Sequence, residues 1–103
     1  MQRDLEALDS FQKAITLKPD YGLAYSGLAW TYNRLGRHQE ALENAQKAIR
    51  LLPREADCHY NLAIAYLGLG QQELAMEKYH LVNKLKPELG KLLLSKINKT
   101  QGR

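Results

Sequence analysis

Residues 19–53 read PDYGLAYSGLAWTYNRLGRHQEALENAQKAIRLLP, and residues 53–87 read PREADCHYNLAIAYLGLGQQELAMEKYHLVNKLKP. The two segments align without a gap. Pro19, Pro53 and Pro87 are the chain's three prolines, each 34 residues from the next, and each closes an amphipathic run ending in Leu and a basic or apolar residue. A fixed period of this length marks stacked supersecondary units, each unable to bury its apolar face alone. The shared letters are apolar, aromatic or small: Leu28 and Leu62, Ala29 and Ala63, Tyr32 and Tyr66, Gly36 and Gly70, Ala41 and Ala75.

Within each unit the spacing predicts two helices. Tyr25, Leu28, Ala29 and Tyr32 recur at three- and four-residue steps, as do His59, Leu62, Ala63 and Tyr66, which places each set on one helix face. Gly36 and Gly70 end those helices, because glycine accepts the left-handed conformation of a C-terminal cap. In the second helix, Ala41, Ala45 and Ala48 are small where two helices approach closely, and Ala75, Tyr79 and Val82 form the matching stripe. Proline biases the residue before it out of the helical region, so each unit stops at Pro53 or Pro87. Asp20, Glu55 and Glu88 then stand at the positive end of the helix that follows. Helices are expected near 3–17, 21–35, 38–51, 55–69, 72–84 and 88–99.

Outward from the two units, Ala7, Phe11 and Ala14 carry the second-helix pattern ahead of Pro19, without room for the first helix of that unit. After Pro87, GKLLLSKINK places apolar Leu92, Leu93 and Ile97 between lysines, the pattern of a polar-backed closing helix. The expected organisation over residues 1–103 is one domain: a second helix of a truncated unit (1–19), two whole units (20–53 and 54–87), and a basic capping helix and tail (88–103). The stripe of Leu8, Phe11 and Ile15, expected to lack a partner helix, is a candidate edge for weak self-association.

This pattern resembles the tetratricopeptide repeat family. The family's aromatic, Leu, small, Tyr, Gly, Ala and Pro positions are met by Tyr25, Leu28, Ala29, Tyr32, Gly36, Ala41, Ala48 and Pro53. In the second unit Leu62, Ala63, Tyr66, Gly70, Ala75, Tyr79 and Pro87 match, with His59 for the opening aromatic and Val82 for the later alanine. Ala45 stands where the family has an aromatic, a smaller plug for Trp30 or a neighbour to complete. The resemblance implies an all-α fold, a right-handed α–α superhelix of antiparallel helix pairs. Its implied role is a protein-interaction scaffold that takes a peptide or helix of a partner protein in its concave groove, as part of a larger repeat protein.

By position, the resemblance assigns Leu23, Ser26, Gly27, Trp30, Asn33 and Arg34 of the first unit to the groove wall. The second unit supplies Asp57, Tyr60, Asn61, Ile64, Leu67 and Gly68. Trp30, Tyr60, Ile64 and Leu67 are the expected apolar contacts, and Asn33, Arg34 and Asn61 the expected donors. Some family members grip a terminal carboxylate with two lysines, two asparagines and an arginine. Here Asn61 and Lys91 match that set, whereas Ser26, Trp30 and Ser95 do not, which disfavours such a clamp.

Composition narrows the function further. Of 103 residues, 45% are hydrophobic and 25% charged, the balance of a globular chain. There is no apolar run approaching the roughly 20 residues of a membrane span, and no secretory leader pattern, so a cytoplasmic setting is expected. The single cysteine, Cys58, excludes an internal disulfide and a cysteine-based zinc site. His38, His59 and His80 never fall at the spacing of a helical metal pair. Cys58 and adjacent His59 point about 100° apart on a helix, away from a thiolate–base geometry. Gly68 and Gly70 follow a helix, with no strand before them and no Gly-Lys-Ser/Thr after, so they form a turn and no nucleotide loop. Neither enzyme activity, metal nor cofactor is expected. The formal charge of +4 is uneven: Lys78 to Arg103 holds seven Lys and Arg against Glu88 alone, a net +6, leaving −2 elsewhere. Polyanion binding through Lys91, Lys96 and Lys99, to nucleic acid or an acidic protein, is therefore the alternative to groove binding.

Overall fold

The computed structural model describes residues 1–101, so the last two residues of the expected basic tail lie outside it. It contains α1 (Gln2–Leu17), α2 (Gly22–Arg34), α3 (His38–Leu51), α4 (Ala56–Gly68), α5 (Gln72–Leu85) and α6 (Pro87–Gln101), with no strand among the described residues. Each helix packs on the next in the chain, and α2 also meets α4, as α4 meets α6. No such contact joins α1 to α3 or α3 to α5. The even-numbered helices therefore lie side by side while the odd-numbered ones splay apart. That asymmetry curves the right-handed superhelix and puts α2, α4 and α6 on its inner side.

Local chemistry accounts for the helix ends. Gly36 and Gly70 have φ of +77° and +80°. At the first, the Gly36 N–H donates to Asn33 O at 3.1 Å and the Arg37 N–H to Tyr32 O at 2.9 Å. Gly70 and Gln71 repeat this with Leu67 O at 3.1 Å and Tyr66 O at 2.8 Å, the paired bonds of a glycine C-cap. Lys18, Leu52 and Lys86, each before a proline, have φ of −141°, −135° and −152°. Their N–H groups still reach back to Ala14, Ala48 and Val82 carbonyls at 2.7–2.8 Å.

The third of these turns differs from the first two. Helices α2 and α4 begin three residues after Pro19 and Pro53, whereas α6 begins at Pro87 itself. Proline suits the first helical position because its fixed φ is helical and its missing N–H has no intrahelical partner there. The early start changes which face of α6 points inward, so the 34-residue alignment fails there. Leu93 and Ile97 are fully buried, yet Leu92, expected to join them, is 48% exposed.

Small residues set the helix spacing. Ala29, Ala41, Ala45, Ala48, Ala63 and Ala75 are fully buried. Around Ala45 the space is taken by Ala29 and Leu62, with Leu42, Ile49 and Tyr66. Trp30, a candidate for filling it, instead stands in solvent at 47% exposure. The N-terminal stripe is also differently placed from expectation: Leu8 is buried with Leu28 and Tyr32, and half-buried Phe11 and Ile15 pack against that cluster. What α1 exposes is Met1, Leu5 and Leu17. No helix among the described residues is long and apolar enough to cross a membrane.

Candidate binding groove

The inner helices enclose two adjoining cavities, of about 450 and 270 Å³, that share Trp30, Tyr60 and Asn61. The larger runs between Leu23 of α2, Glu55 and Asp57 at the start of α4, and Leu89 and Leu92 of α6. The smaller is bounded by Asn33, Arg34, Ile64 and Lys96. Its larger part falls within the roughly 300–1,000 Å³ of ligand pockets.

Trp30 faces this groove because the buried side of α2 is already filled by Leu28, Ala29 and Tyr32. The Arg34 guanidinium lies 4.8 Å from the Trp30 ring centroid. Its Nε donates to Asp4 Oδ1 at 3.0 Å, tying α2 to α1. Tyr60 is half-buried, and desolvation pushes its phenol above the ordinary value, so it stays protonated.

Six of the seven residues expected in the groove thus come together: Trp30, Asn33, Arg34, Tyr60, Asn61 and Ile64. The seventh, Leu67, is absent from both cavities and packs with Val82, Leu93 and Ile97. Leu67 is equivalent to Asn33, 34 residues earlier. Asn33 Nδ2 donates to Asn61 O at 3.0 Å. That position therefore faces the next inner helix in both units.

The amides do less for a ligand than expected. Asn33 Oδ1 pairs with His38 Nδ1 at 2.9 Å, so both ends of that amide are engaged. Asn61 is buried at 4% exposure, and its Nδ2 donates to the Ser26 carbonyl and Oγ, each at 3.2 Å. These groups fasten α2 to α4.

The wall contributed by α6 escaped the sequence reading. Lys91 and Ser95, the positions compared with a carboxylate clamp, lie with Leu94, Asn98 and Lys99 around a separate surface hollow. Leu89, Leu92 and Lys96 face the groove in their place. The lysines of the basic helix are accordingly divided between two faces. The signal was Pro87 followed directly by Glu88, a proline first turn with an acid at its positive end.

The other chemistry-bearing residues serve the fold. His59, at 4% exposure, sits 2.8 Å through Nε2 from Pro53 O, in the place where the Tyr25 hydroxyl donates to Pro19 O at 3.2 Å. Its Nδ1 is buried without a partner. Cys58 is fully buried, and desolvation raises its thiol above the ordinary value, keeping it protonated and unreactive. His38 opens α3 with its ring against Gly68, and His80 is exposed.

This architecture has known relatives. The chain belongs to the tetratricopeptide repeat family: one family model described as Tetratricopeptide repeat matches residues 1–54 and a second matches residues 44–77. Among solved structures, the first such repeat domain of Spaghetti (RPAP3), bound to the HSP90 peptide SRMEEVD, is 22% identical with a TM-score of 0.86, over 99% of this chain and 82% of that one. The first repeat domain of human RPAP3, solved by NMR, is likewise 22% identical with a TM-score of 0.86, over 98% and 81%. At that identity the likeness is one of fold. No curated protein sequence matches the chain.

Proposed function

We propose that this chain is a protein-interaction scaffold that holds a short segment of a partner protein in the groove between α2, α4 and α6. The observation that carries this reading is the convergence of Leu23, Trp30 and Leu92. At 56%, 47% and 48% exposure they are among the most exposed large apolar side chains, and they come from two helices to line one cavity. Isolated exposed apolar residues are ordinary, whereas a concave cluster of them with an aromatic anchor is the anatomy of a binding site. The fold likeness to a repeat domain that holds an HSP90 peptide supports a peptide as occupant.

Retention of immobilised random-sequence peptides by the wild-type chain, compared with a Trp30→Ala, Leu92→Ala chain, tests the reading. Both side chains are about half exposed, so the variant retains its helical circular dichroism while losing the retained peptides. Equal retention by the two chains overturns the groove. The polyanion alternative predicts instead binding to heparin that falls steeply with salt and with Lys91→Gln, Lys99→Gln.

A further inference from the structure

The groove is divided in charge as well as lined with apolar side chains. Glu55 and Asp57 line the larger cavity at the start of α4, and both are exposed. Among the described residues neither takes part in an ion pair, since the pairs present are Lys13–Asp9, Arg34–Asp4 and Arg37–Glu40. The positive end of α4 carries only about half a unit charge, which stabilises two carboxylates without neutralising them. The cations of the groove, Arg34 and Lys96, line the other cavity, and Arg34 is already held by Asp4 and stacked on Trp30. A ligand seated among Leu23, Trp30 and Leu92 therefore has two unpaired carboxylates beside it and no free cation at that end.

We infer that the segment this groove selects carries an apolar side chain with lysine or arginine close to it in sequence. The apolar group sits among Leu23, Trp30 and Leu92, and the cation lies against Glu55 and Asp57. The inference rests on the groove reading above and adds the charge of the ligand. It excludes peptides whose acidic side chains or terminal carboxylate would fall at this end, since like charges brought together oppose binding.

Peptides retained by the wild-type chain but lost by the Trp30→Ala, Leu92→Ala chain are the probe, read for the residues flanking their apolar positions. Lysine and arginine are enriched there. Each of Glu55→Gln and Asp57→Asn weakens such a peptide by about 1.5- to 5-fold, the range of an exposed charge pair, and raised salt weakens the wild type likewise. The double variant still retains apolar peptides but without the basic enrichment, and unchanged circular dichroism establishes that it is folded. Enrichment of acidic residues, absence of any charge preference, or unaltered affinity in the double variant overturns the charge inference while leaving the groove standing. Failure to separate wild type from the Trp30→Ala, Leu92→Ala chain overturns the groove and this inference with it.

Discussion

Two junctions of the superhelix, α1 against α2 and α3 against α4, occupy places 34 residues apart and are filled in opposite ways. At the first, the Phe11 ring lies on Gly27, so close that a Cβ there would come within 2.4 Å of it. The equivalent pair at the second is Ala45 and Asn61: the outer helix now carries the small residue and the inner helix the large one. A second pair shows a related exchange. Asp4 receives a hydrogen bond from Arg34 at the first junction, whereas its counterpart His38 lays its ring on Gly68 at the second, 2.2 Å from where a Cβ would stand. Taken singly, Gly27, Ala45 and Gly68 are departures from a repeat pattern. In pairs they keep each junction filled, and they make each outer helix fit its own inner helix and not the other's.

If Phe11 fills the space over Gly27, truncating it is the most damaging way to break this comparison. Phe11→Ala is expected to cost about 3 kcal/mol, the low end for a phenylalanine because the ring is half-buried. Glycine offers no side chain to occupy the cavity. Equilibrium urea unfolding measures the cost, and a loss below about 1 kcal/mol shows that the junction collapses onto other contacts.

The second junction is broken by adding an atom. Gly68→Ala drives a methyl group into the His38 ring and is expected to cost about 1–3 kcal/mol by overpacking. His38→Ala removes the obstacle, along with its bond to Asn33. The double variant is therefore expected to be more stable than the sum of the single changes predicts, by a coupling of about 0.5–3 kcal/mol. Additive effects would mean that the ring moves aside freely and that Gly68 is small for another reason.

The same pairing explains what could be read from the sequence and what could not. Helix identities and ends were legible to within one or two residues, because Gly36, Gly70 and the residues before the prolines act on their own backbone. The inward positions Trp30, Tyr60 and Ile64 followed from periodicity. Leu67 was misplaced because its position meets the next inner helix, as Asn33 shows by bonding to Asn61, and that neighbour is invisible in a single helix. The α6 wall was missed for a different reason. Pro87 keeps the 34-residue spacing of Pro19 and Pro53, so the period implied a turn, while the chain entered a helix at once. A repeat signal reports where units recur, and it is silent on a change of rotation within the last one.

The smallest expected effect separates the two junctions by their chemistry. Asp4 is enclosed, with 13% of its side chain exposed, but its partner Arg34 is 55% exposed, so solvent screens much of their attraction. Asp4→Asn is the cleaner change, because altering Arg34 would also remove its stack on Trp30. The loss is expected to be roughly 0.2–1 kcal/mol at low ionic strength. Raising salt from about 0.05 to about 0.5 M shortens the screening length several-fold and should erase most of the difference between Asp4→Asn and the parent chain. The second junction has no ion pair at the equivalent place, only the ring of His38 over Gly68 and its bond to Asn33. His38→Ala should therefore keep its cost across the same salt range. Thermal melts of both variants at the two salt concentrations decide the matter. Equal salt sensitivity would show that the Asp4–Arg34 pair contributes no more as a charge contact than its uncharged counterpart, and that the two junctions differ in shape alone.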